Sequence, residues 1–308
     1  MAAIKANVLN FIHYIMIFYF LEVEMRHSEH RLEDGCGRSL IKTYHSTLPA
    51  CTRTYREHHH TECELSVFLR GSGIYAMQGK SYPFSAGNVF LFGTGEPHSI
   101  TEIHEDMEVL NVHFEPRLLW EHSDTAELLG LFSSRGENFE NRFSDEDGVL
   151  MPLILDLERE ISEQKPCYSV RAKYLLFSIL AEMVRRYDCV KPSTAAAAPF
   201  SQAKNLRRVI DYIGENLDQH LTLASLADVA YMSPTYFSAV FKKLNGISPW
   251  EYITIKRVEK AVEMLKSTDL SKLEIAERCG FSGASNFYKM FFRITGKRPS
   301  DFAREKKR

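Results

Sequence analysis

Four residues in the first third of the chain carry side chains that bind metals or polar ligands. His58, His60 and Glu64 follow the spacing H-x-H-x3-E, and His98 follows Pro97 after a stretch of turn residues. Three imidazoles and a carboxylate can bind iron, manganese, nickel or zinc. The same groups can also hydrogen-bond a sugar or another small polar molecule in a pocket. We expect small-molecule binding without a metal or any other cofactor.

The residues around these four predict β-structure. From Leu65 to Phe114, short apolar runs alternate with turn residues, which is typical of an all-β sandwich or barrel. Gly71, Gly73, Gly79 and Gly87 fall where the turns are expected. The H-x-H-x3-E stretch and the later Pro-Phe-Ser-Ala-Gly-Asn to Pro-His stretch resemble the two motifs of the cupin fold. The resemblance implies a cupin-like β-barrel with His58, His60, Glu64 and His98 as ligand-binding residues.

A metal-dependent cupin enzyme is therefore an alternative function for this region. It would need an open metal position and a substrate pocket, neither of which a sequence displays. We expect no enzyme activity, no catalytic residues and no metal. The six cysteines are scattered without a CxxC pair, which indicates free thiols in a reducing compartment.

The charge distribution separates the two ends of the chain. The net charge of the 308 residues is −2, which does not indicate a nucleic-acid-binding protein. Residues 201–308, however, contain 19 Lys and Arg against 12 Asp and Glu, whereas residues 1–200 contain 19 against 28. A basic C-terminal part beside an acidic N-terminal part indicates that only the former meets a polyanion.

The periodicity of apolar residues divides the chain further. After Phe114 it becomes helical, with helices predicted over Gly148–Gln164 and Tyr168–Tyr187. A stretch with proline near each end, KPSTAAAAP, predicts a linker. The expected organisation is an N-terminal extension, a sensing domain, a helical segment, a linker and an all-α domain, covering residues 1–40, 41–115, 116–190, 191–200 and 201–308.

The extension begins with an apolar run over residues 6–21. The run is shorter than the ~20 residues that a spanning helix needs, and acidic residues follow it instead of a cleavage site. We expect a poorly ordered extension that does not enter a membrane, and Met25 is an alternative start.

Two helix-turn-helix units are predicted in the last hundred residues. In the first, Thr222 caps a short helix, and Ser233 followed by Pro234 starts a second helix that ends at Gly246. In the second, Ser271 and Glu274 form a capping box 49 residues after Thr222. Gly280 closes that helix, and Ser282 is expected to cap the next one, which ends at Gly296. A long helix over about Trp250 to Ser267 joins the units.

These stretches identify a family resemblance. LASLADVAYMSPTYFSAVFKKLNGISPWEYI, KRVEKAVEMLK and EIAERCGFSGASNFYKMFFRITGKRPSDF resemble the DNA-binding domain of the AraC/XylS family over residues 203–304. The resemblance implies that the second helix of each unit enters the major groove on one face of double-stranded DNA, about 34 Å apart. The expected DNA-contacting residues are Thr235, Ser238, Ala239, Lys242 and Lys243 in the first unit, and Ala284, Ser285, Tyr288 and Lys289 in the second.

The chain departs from the family pattern at two positions. Ala239 stands where many relatives carry arginine, and Phe292 stands where lysine is usual. We therefore expect weaker base reading by the first unit than by the second. The resemblance further implies a cytoplasmic regulator that binds a sugar-like effector and forms a homodimer through Tyr168–Tyr187, with RNA polymerase as a further candidate partner. We expect an activator, and repression is the alternative that the sequence leaves open.

Overall fold

Antiparallel strands occupy the first half of the chain and helices the second, which is the α+β organisation that the sequence predicts. The computed structural model describes residues 28–33, 39–51, 57–77, 79–120, 123–133, 135, 139–187 and 202–305. These residues divide into two compact units. The first lies within residues 1–57, 62–115 and 130–192, and the second within 58–61, 116–129 and 193–308.

The strands all belong to the first unit. In chain order they are β1 (Ser28–Glu33), β2 (Ser39–Leu48), β3 (Cys63–Arg70), β4 (Ser72–Met77), β5 (Lys80–Ser85), β6 (Asn88–Phe92), β7 (His98–Ile103), β8 (Met107–Phe114) and β9 (Arg142–Ser144).

Two antiparallel sheets contain these strands. The larger has the order β1-β2-β8-β3-β6-β9 and the smaller β5-β4-β7. Among the described residues the pairings do not close into one barrel, so the expected barrel is corrected to two sheets. The chain changes sheet at Gly71, between β3 and β4. Its φ is +88°, and a Cβ there would lie 2.7 Å from the Met107 Cα, so only glycine permits the crossing.

Aromatic side chains fill the space between the sheets. Phe68, Phe90 and Phe92 come from the larger sheet, and Tyr75 and Phe84 from the smaller. The Phe68 and Phe84 rings stack with centroids 3.9 Å apart, and Tyr75 stacks on Phe90 at 4.9 Å. This apolar packing fixes the two sheets to each other and supports the polar residues described below.

Part of the expected N-terminal extension is a strand. β1 pairs with β2 from Ser28 opposite His45 onwards, and its Leu32 is buried. Its charged residues alternate with few apolar ones, so the sequence pattern did not indicate a strand. The apolar run over residues 6–21 and the linker over 191–200 lie outside the described residues.

The helices, in chain order, are α1 (Arg117–Trp120), α2 (Gly130–Ser133), α3 (Leu150–Glu163), α4 (Tyr168–Arg186), α5 (Ala203–Glu215), α6 (Leu223–Val229), α7 (Pro234–Asn245), α8 (Pro249–Ser267), α9 (Lys272–Arg278), α10 (Ala284–Thr295) and α11 (Pro299–Glu305). A 3₁₀ helix spans Ser123–Leu129. In the described part of the chain, no helix combines the length and apolar character that crossing a bilayer requires.

Helices α3 and α4 complete the first unit and match the two predicted helices to within two residues at each end. They pack against each other, and α4 buries Leu176, Ile179, Leu180 and Met183 on one face. The Tyr187 hydroxyl, just after α4, donates a hydrogen bond to the Ser144 carbonyl of β9 at 2.6 Å. The C-terminal end of α4 is thereby tied to the larger sheet.

The predicted caps of the second unit are mostly confirmed. The Thr222 and Ser271 hydroxyls accept hydrogen bonds from the N3 backbone amides of α6 and α9. α7 begins after Ser233 with proline in its first turn, as predicted, but the Ser233 hydroxyl makes no capping hydrogen bond. The prediction that Ser282 caps α10 is wrong, because Gly283 precedes the helix and no side chain caps it.

Arg257, in the middle of α8, connects segments that are distant in sequence. Its guanidinium donates to the backbone carbonyls of Leu217 at 2.9 Å and Gln219 at 2.8 Å, in the loop before α6. Gly280, after α9, lies against the same groups: a Cβ on it would be 2.2 Å from the Leu217 oxygen and 2.8 Å from an Arg257 nitrogen. Burial lowers the pKa of Arg257, which nevertheless stays charged. One side chain thus holds the first helix-turn-helix, the second and α8 together.

We expect Gly280→Ala to destabilise the second unit by about 2–5 kcal/mol. The substitution forces an L-residue into a φ of +77° and drives its Cβ into the Leu217 carbonyl. Urea unfolding followed by circular dichroism measures the change. Gly214→Ala in α5, where a Cβ meets nothing within 4 Å, is the control and should stabilise by about 0.5–1 kcal/mol. Equal midpoints for Gly280→Ala and the parent protein would contradict this account.

Candidate nucleic-acid interface and polar ligand site

Helix α7 buries one side and exposes the other. Phe237 and Phe241 are fully buried and pack edge to face. Of the expected DNA-contacting residues, Thr235, Ala239, Lys242 and Lys243 are exposed and Ser238 is half-buried. Tyr236, which the sequence analysis did not single out, is 49% exposed beside them. The exposed side of α7 is therefore polar with two lysines near its C-terminal end.

Helix α10 has the same construction with different surface chemistry. Phe287, Phe291 and Ile294 are buried, whereas Ser285, Tyr288 and Lys289 are exposed and Ala284 is half-buried. Asn286 is also exposed and was missed, although an amide is a good donor and acceptor for adenine. Phe292 is 45% exposed where the related position of α7 carries Lys242.

The turns of the two helix-turn-helix units have matching hydrogen bonds and backbone conformations. The Met232 amide donates to the Ala227 carbonyl at 2.9 Å, and the Phe281 amide donates to the Ala276 carbonyl at 3.0 Å. Tyr231 in the first turn and Gly280 in the second both have positive φ, at +56° and +77°. Two short helices joined by such a turn, repeated at matching positions, form a pair of helix-turn-helix units.

The polar cluster of the first unit lies on three strands. Glu64 of β3 faces His113 of β8 in register, and its Oε2 lies 3.4 Å from the His113 Nε2. His98, the first residue of β7, brings its Nε2 to 3.2 Å from the same oxygen. All three side chains are at most 1% exposed. A carboxylate this deeply buried needs a positive charge or hydrogen-bond donors around it.

Neighbouring groups orient this cluster. The Ser66 hydroxyl donates to the other carboxylate oxygen of Glu64, Oε1, at 2.6 Å. The His98 Nδ1 lies 2.8 Å from the Glu96 carbonyl, which can only accept, so Nδ1 carries the proton. The Phe92 ring stacks on His98 at 4.1 Å, and Tyr44 meets His113 edge-on at 5.0 Å. We name Glu64, His98 and His113 the carboxylate–histidine cluster.

The loop before β7 is held by a second set of charges. The Glu96 carboxylate accepts from the Gly93 amide at 2.7 Å and forms an ion pair with Arg135. Asn141 donates to the same carboxylate at 3.2 Å. This network fixes the backbone carbonyl of Glu96 that accepts from His98.

The four sequence-predicted ligand residues are distributed over both units. Glu64 and His98 meet within the first unit, as expected. His58 and His60 fall in the segment 58–61 that groups with the second unit, with both rings buried and their centroids 6.2 Å apart. Their joining Glu64 and His98 in one site stays a prediction. His113 was missed, because only the register of β8 against β3 shows that it faces Glu64.

Cys63 lies next to Glu64 in β3 but takes no part in the cluster. Desolvation by burial raises the pKa of its thiol to about 12. At neutral pH the side chain is therefore a protonated thiol, which neither ligates metals nor acts as a nucleophile.

Comparisons with known proteins match both units. A family model described as AraC-like ligand binding domain matches residues 45–180, and a helix-turn-helix domain model matches residues 226–305. HTH-type transcriptional activator RhaR of Enterobacter sp. (strain 638) is 26% identical over 246 residues, covering 80% of this chain and 86% of RhaR. RhaR of Escherichia coli (strain K12) is also 26% identical, over 249 residues, with the same coverage.

Solved structures of ToxT from Vibrio cholerae share the fold. One superposes with a TM-score of 0.57 at 11% identity, covering 86% of this chain and 98% of ToxT. Another, with an unsaturated fatty acid bound, gives a TM-score of 0.55 at 12% identity, covering 89% and 96%.

We expect Cys63 to resist alkylation in the native protein while Cys167, which is exposed, reacts. At pH 8 a thiol with a pKa of about 12 is ionised in only about one molecule in ten thousand, and burial also blocks the reagent. Peptide mass spectrometry after iodoacetamide treatment measures both sites, and labelling in guanidinium, where both should react, is the control. Labelling of native Cys63 as fast as Cys167 would show that β3 is open to solvent.

Proposed function

The chain belongs to the AraC family of transcription regulators, and from this premise we propose that α7 and α10 read DNA while the carboxylate–histidine cluster binds the effector. The observation that carries the DNA-binding role is the repeated helix-turn-helix geometry, with identical turn hydrogen bonds and exposed second helices. The excess of basic residues over 201–308 supports phosphate contacts in the same unit.

The two recognition helices contribute unequally in this proposal. α10 presents Tyr288 and Lys289, and a lysine can bind the O6 and N7 acceptors of guanine. α7 presents Ala239 at the position related to Lys289, and a methyl group can contact only the methyl of thymine. Lys242 and Lys243 lie at the end of α7 and suit phosphate contacts. The second helix-turn-helix unit therefore supplies most of the sequence discrimination.

The effector that suits the carboxylate–histidine cluster is a small molecule with several hydroxyl groups, as in a carbohydrate derivative. Buried Glu64, His98 and His113 provide hydrogen-bonding groups that hydroxyls can satisfy. ToxT binds an unsaturated fatty acid in one of its structures. In the present chain the cluster is too polar for an acyl chain, whereas the aromatic region beside it is filled by its own side chains.

Two copies of the chain form the regulator in our proposal. Val170 and Tyr174 on α4 are 53% and 68% exposed, and Leu155 on α3 is 42% exposed. Large apolar groups on the outside of a packed helix pair are suited to an interface between subunits. A homodimer would place two copies of α7 and α10 on repeated DNA sites. The RhaR relatives are named activators, so we infer activation, with RNA polymerase as partner, in the cytoplasm where bacterial DNA lies.

A metal-dependent cupin enzyme is the second candidate function. Its only support is the group of imidazole and carboxylate ligands in the first unit. Substrate turnover by the purified protein would favour it, whereas ligand-dependent operator binding without turnover would favour the regulator.

We expect Lys289→Ala to weaken operator binding by about 5–150-fold and to relax base preference, because a base contact of about 1–3 kcal/mol is lost. Fluorescence anisotropy with the operator and with single-base variants measures both effects.

Lys243→Ala is the matched control, since a phosphate contact carries no sequence information. It should weaken binding to every DNA uniformly and lower the slope of log affinity against log salt by about one. Unchanged operator affinity in Lys289→Ala would show that α10 does not enter the major groove as proposed.

We expect a hydroxyl-rich effector to raise the Tm of the full chain, because a ligand that binds only folded protein stabilises it by about 2.7 kcal/mol at 100 times its Kd. A thermal-shift screen of sugars, sugar acids and polyols measures this effect. Glu64→Gln should abolish the shift, whereas Glu102→Gln, at an exposed carboxylate paired with His104, should retain it. A fatty acid as the sole hit would contradict the polar-effector proposal.

A further inference from the structure

We propose that Lys204, Arg208 and Tyr231 bind a backbone phosphate of DNA beside the groove that α7 enters. The proposal rests on the proposed function for the DNA-binding role of the unit, and it adds a contact surface outside both recognition helices. Lys204 and Arg208 lie on α5, and Tyr231 lies in the turn between α6 and α7. We name these three residues the turn surface.

The turn carries a tyrosine where the backbone conformation suits glycine. Helix α6 ends in a Schellman motif, in which the Met232 amide donates to the Ala227 carbonyl at 2.9 Å. The Tyr231 amide donates to the Asp228 carbonyl at 3.0 Å in the same motif. Its left-handed position is usually glycine, as it is at Gly280 in the second helix-turn-helix. Tyr231 occupies that position with a φ of +56°, which a residue with a large side chain rarely adopts.

The Tyr231 ring does not compensate for this strain by burial. It is 77% exposed, the largest exposed fraction among the large hydrophobic residues in the described part of the chain. Glycine would satisfy the same turn without strain, so the tyrosine is not explained by the stability of the fold. Strained residues cluster where a protein meets another molecule, and an exposed strained ring therefore indicates a contact residue.

Arg208 is held over this ring. Its Cζ lies 5.7 Å from the Tyr231 centroid, within the range of a cation–π interaction. A guanidinium over an aromatic ring keeps the N–H donors of its edge for another acceptor. The ring also restrains a long exposed side chain, which reduces the entropy lost when that side chain binds a ligand. Lys204 is exposed one helical turn before Arg208 on the same face of α5 and adds a second cation.

The position of the turn surface favours a DNA phosphate as its ligand. A guanidinium, an ammonium and a phenol hydroxyl all donate to phosphate oxygens. Tyr231 precedes by four residues Thr235, which is expected to contact a base, and the intervening Ser233 and Pro234 are exposed. In helix-turn-helix proteins the N-terminal residues of the second helix contact base edges while the first helix crosses the backbone. The turn between these helices therefore lies at the edge of the groove, beside the phosphates.

The second helix-turn-helix has no such contact, because Gly280 carries no side chain at the corresponding position. Phosphate contacts fix the register of a protein on DNA without reading its sequence. The first helix-turn-helix, whose α7 presents Ala239, thus gains an anchoring role that complements the base reading assigned to α10.

Tyr231→Gly tests the proposal because its two expected effects have opposite signs. Glycine relieves the backbone strain, so the Tm of the full chain should rise by about 2 °C. Loss of the ring and its hydroxyl should weaken DNA binding by about 3–10-fold. The probe is a mixed-sequence duplex of about three helical turns, followed by fluorescence anisotropy, so no operator is required. A purely structural role of the tyrosine would lower Tm and affinity together.

Further variants assign the contact. Arg208→Ala should weaken binding by about fivefold and lower the slope of log affinity against log salt by about one. Combined with Tyr231→Gly, it should lose less affinity than the product of the two single losses, because the ring positions the guanidinium. Arg159→Ala removes the same charge from an exposed side chain on α3 and is the matched control, with affinity within about twofold of the parent protein.

The outcomes separate this inference from the proposed function. Unchanged affinity in Tyr231→Gly and Arg208→Ala, with operator binding still weakened in Lys289→Ala, overturns only the turn surface and makes an acidic partner protein its candidate ligand. A relaxed base preference in Tyr231→Gly would show that the tyrosine reads a base, against the phosphate assignment. If Tyr231→Gly lowers the Tm, Tyr231→Phe decides, since it keeps the backbone and the ring: a loss of affinity supports the phosphate contact, and an unchanged affinity overturns it. Failure of the parent protein to bind any duplex would overturn the DNA-binding role itself.

Discussion

The second compact unit depends on one half-buried guanidinium. Arg257 donates to two carbonyls of the loop that precedes α6, and the backbone of Gly280 packs closely against it. Because Arg257 lies on α8 and Gly280 ends α9, the contact joins both helix-turn-helix units to the helix between them. Base reading on successive major grooves needs two recognition helices in fixed relation, and this interaction supplies that relation. Without the Arg257 contact, each helix-turn-helix unit would keep its own caps and aromatic core but could shift against the other.

The first unit has a comparable constraint in a buried carboxylate. Glu64 is excluded from water between two sheets, so the groups around it must match its charge and its hydrogen-bonding capacity. His98, His113 and Ser66 surround the carboxylate from three different strands, and the Glu96–Arg135 pair supports the loop behind His98. The neighbouring aromatic side chains are apolar, and one of them, Phe92, stacks on the His98 ring.

Much of the second unit could be predicted because its signals are local. Thr222, Ser271, Gly246 and Gly296 act within one turn of a helix, where side-chain chemistry and backbone preference decide the outcome. The prediction that Ser282 caps α10 also failed for a local reason. The turn of the second helix-turn-helix is one residue longer than that of the first, so Gly283 takes the position before α10.

The missed features of the first unit depend on pairing between distant strands. His113 is one polar residue in an apolar strand, and its role follows only from its register against Glu64. β1 has few apolar residues and is defined by its pairing with β2. The sheet change at Gly71 likewise depends on the nearby Met107 backbone. A pattern along one segment carries no information about its partner, so these features needed the structure.

The unequal surfaces of α7 and α10 make the regulator a directional molecule. α10 presents lysine and tyrosine, whereas α7 presents alanine. Inverting the DNA site therefore reverses the orientation of the bound protein. An inverted operator would keep its bases and its affinity but would point the rest of the protein away from the promoter. In the proposed mode of DNA binding, the orientation of the site is part of the regulatory signal, and base changes beneath α10 disrupt it more readily than those beneath α7. The orientation of binding sites relative to promoters would thus reflect the presence of Ala239 on α7.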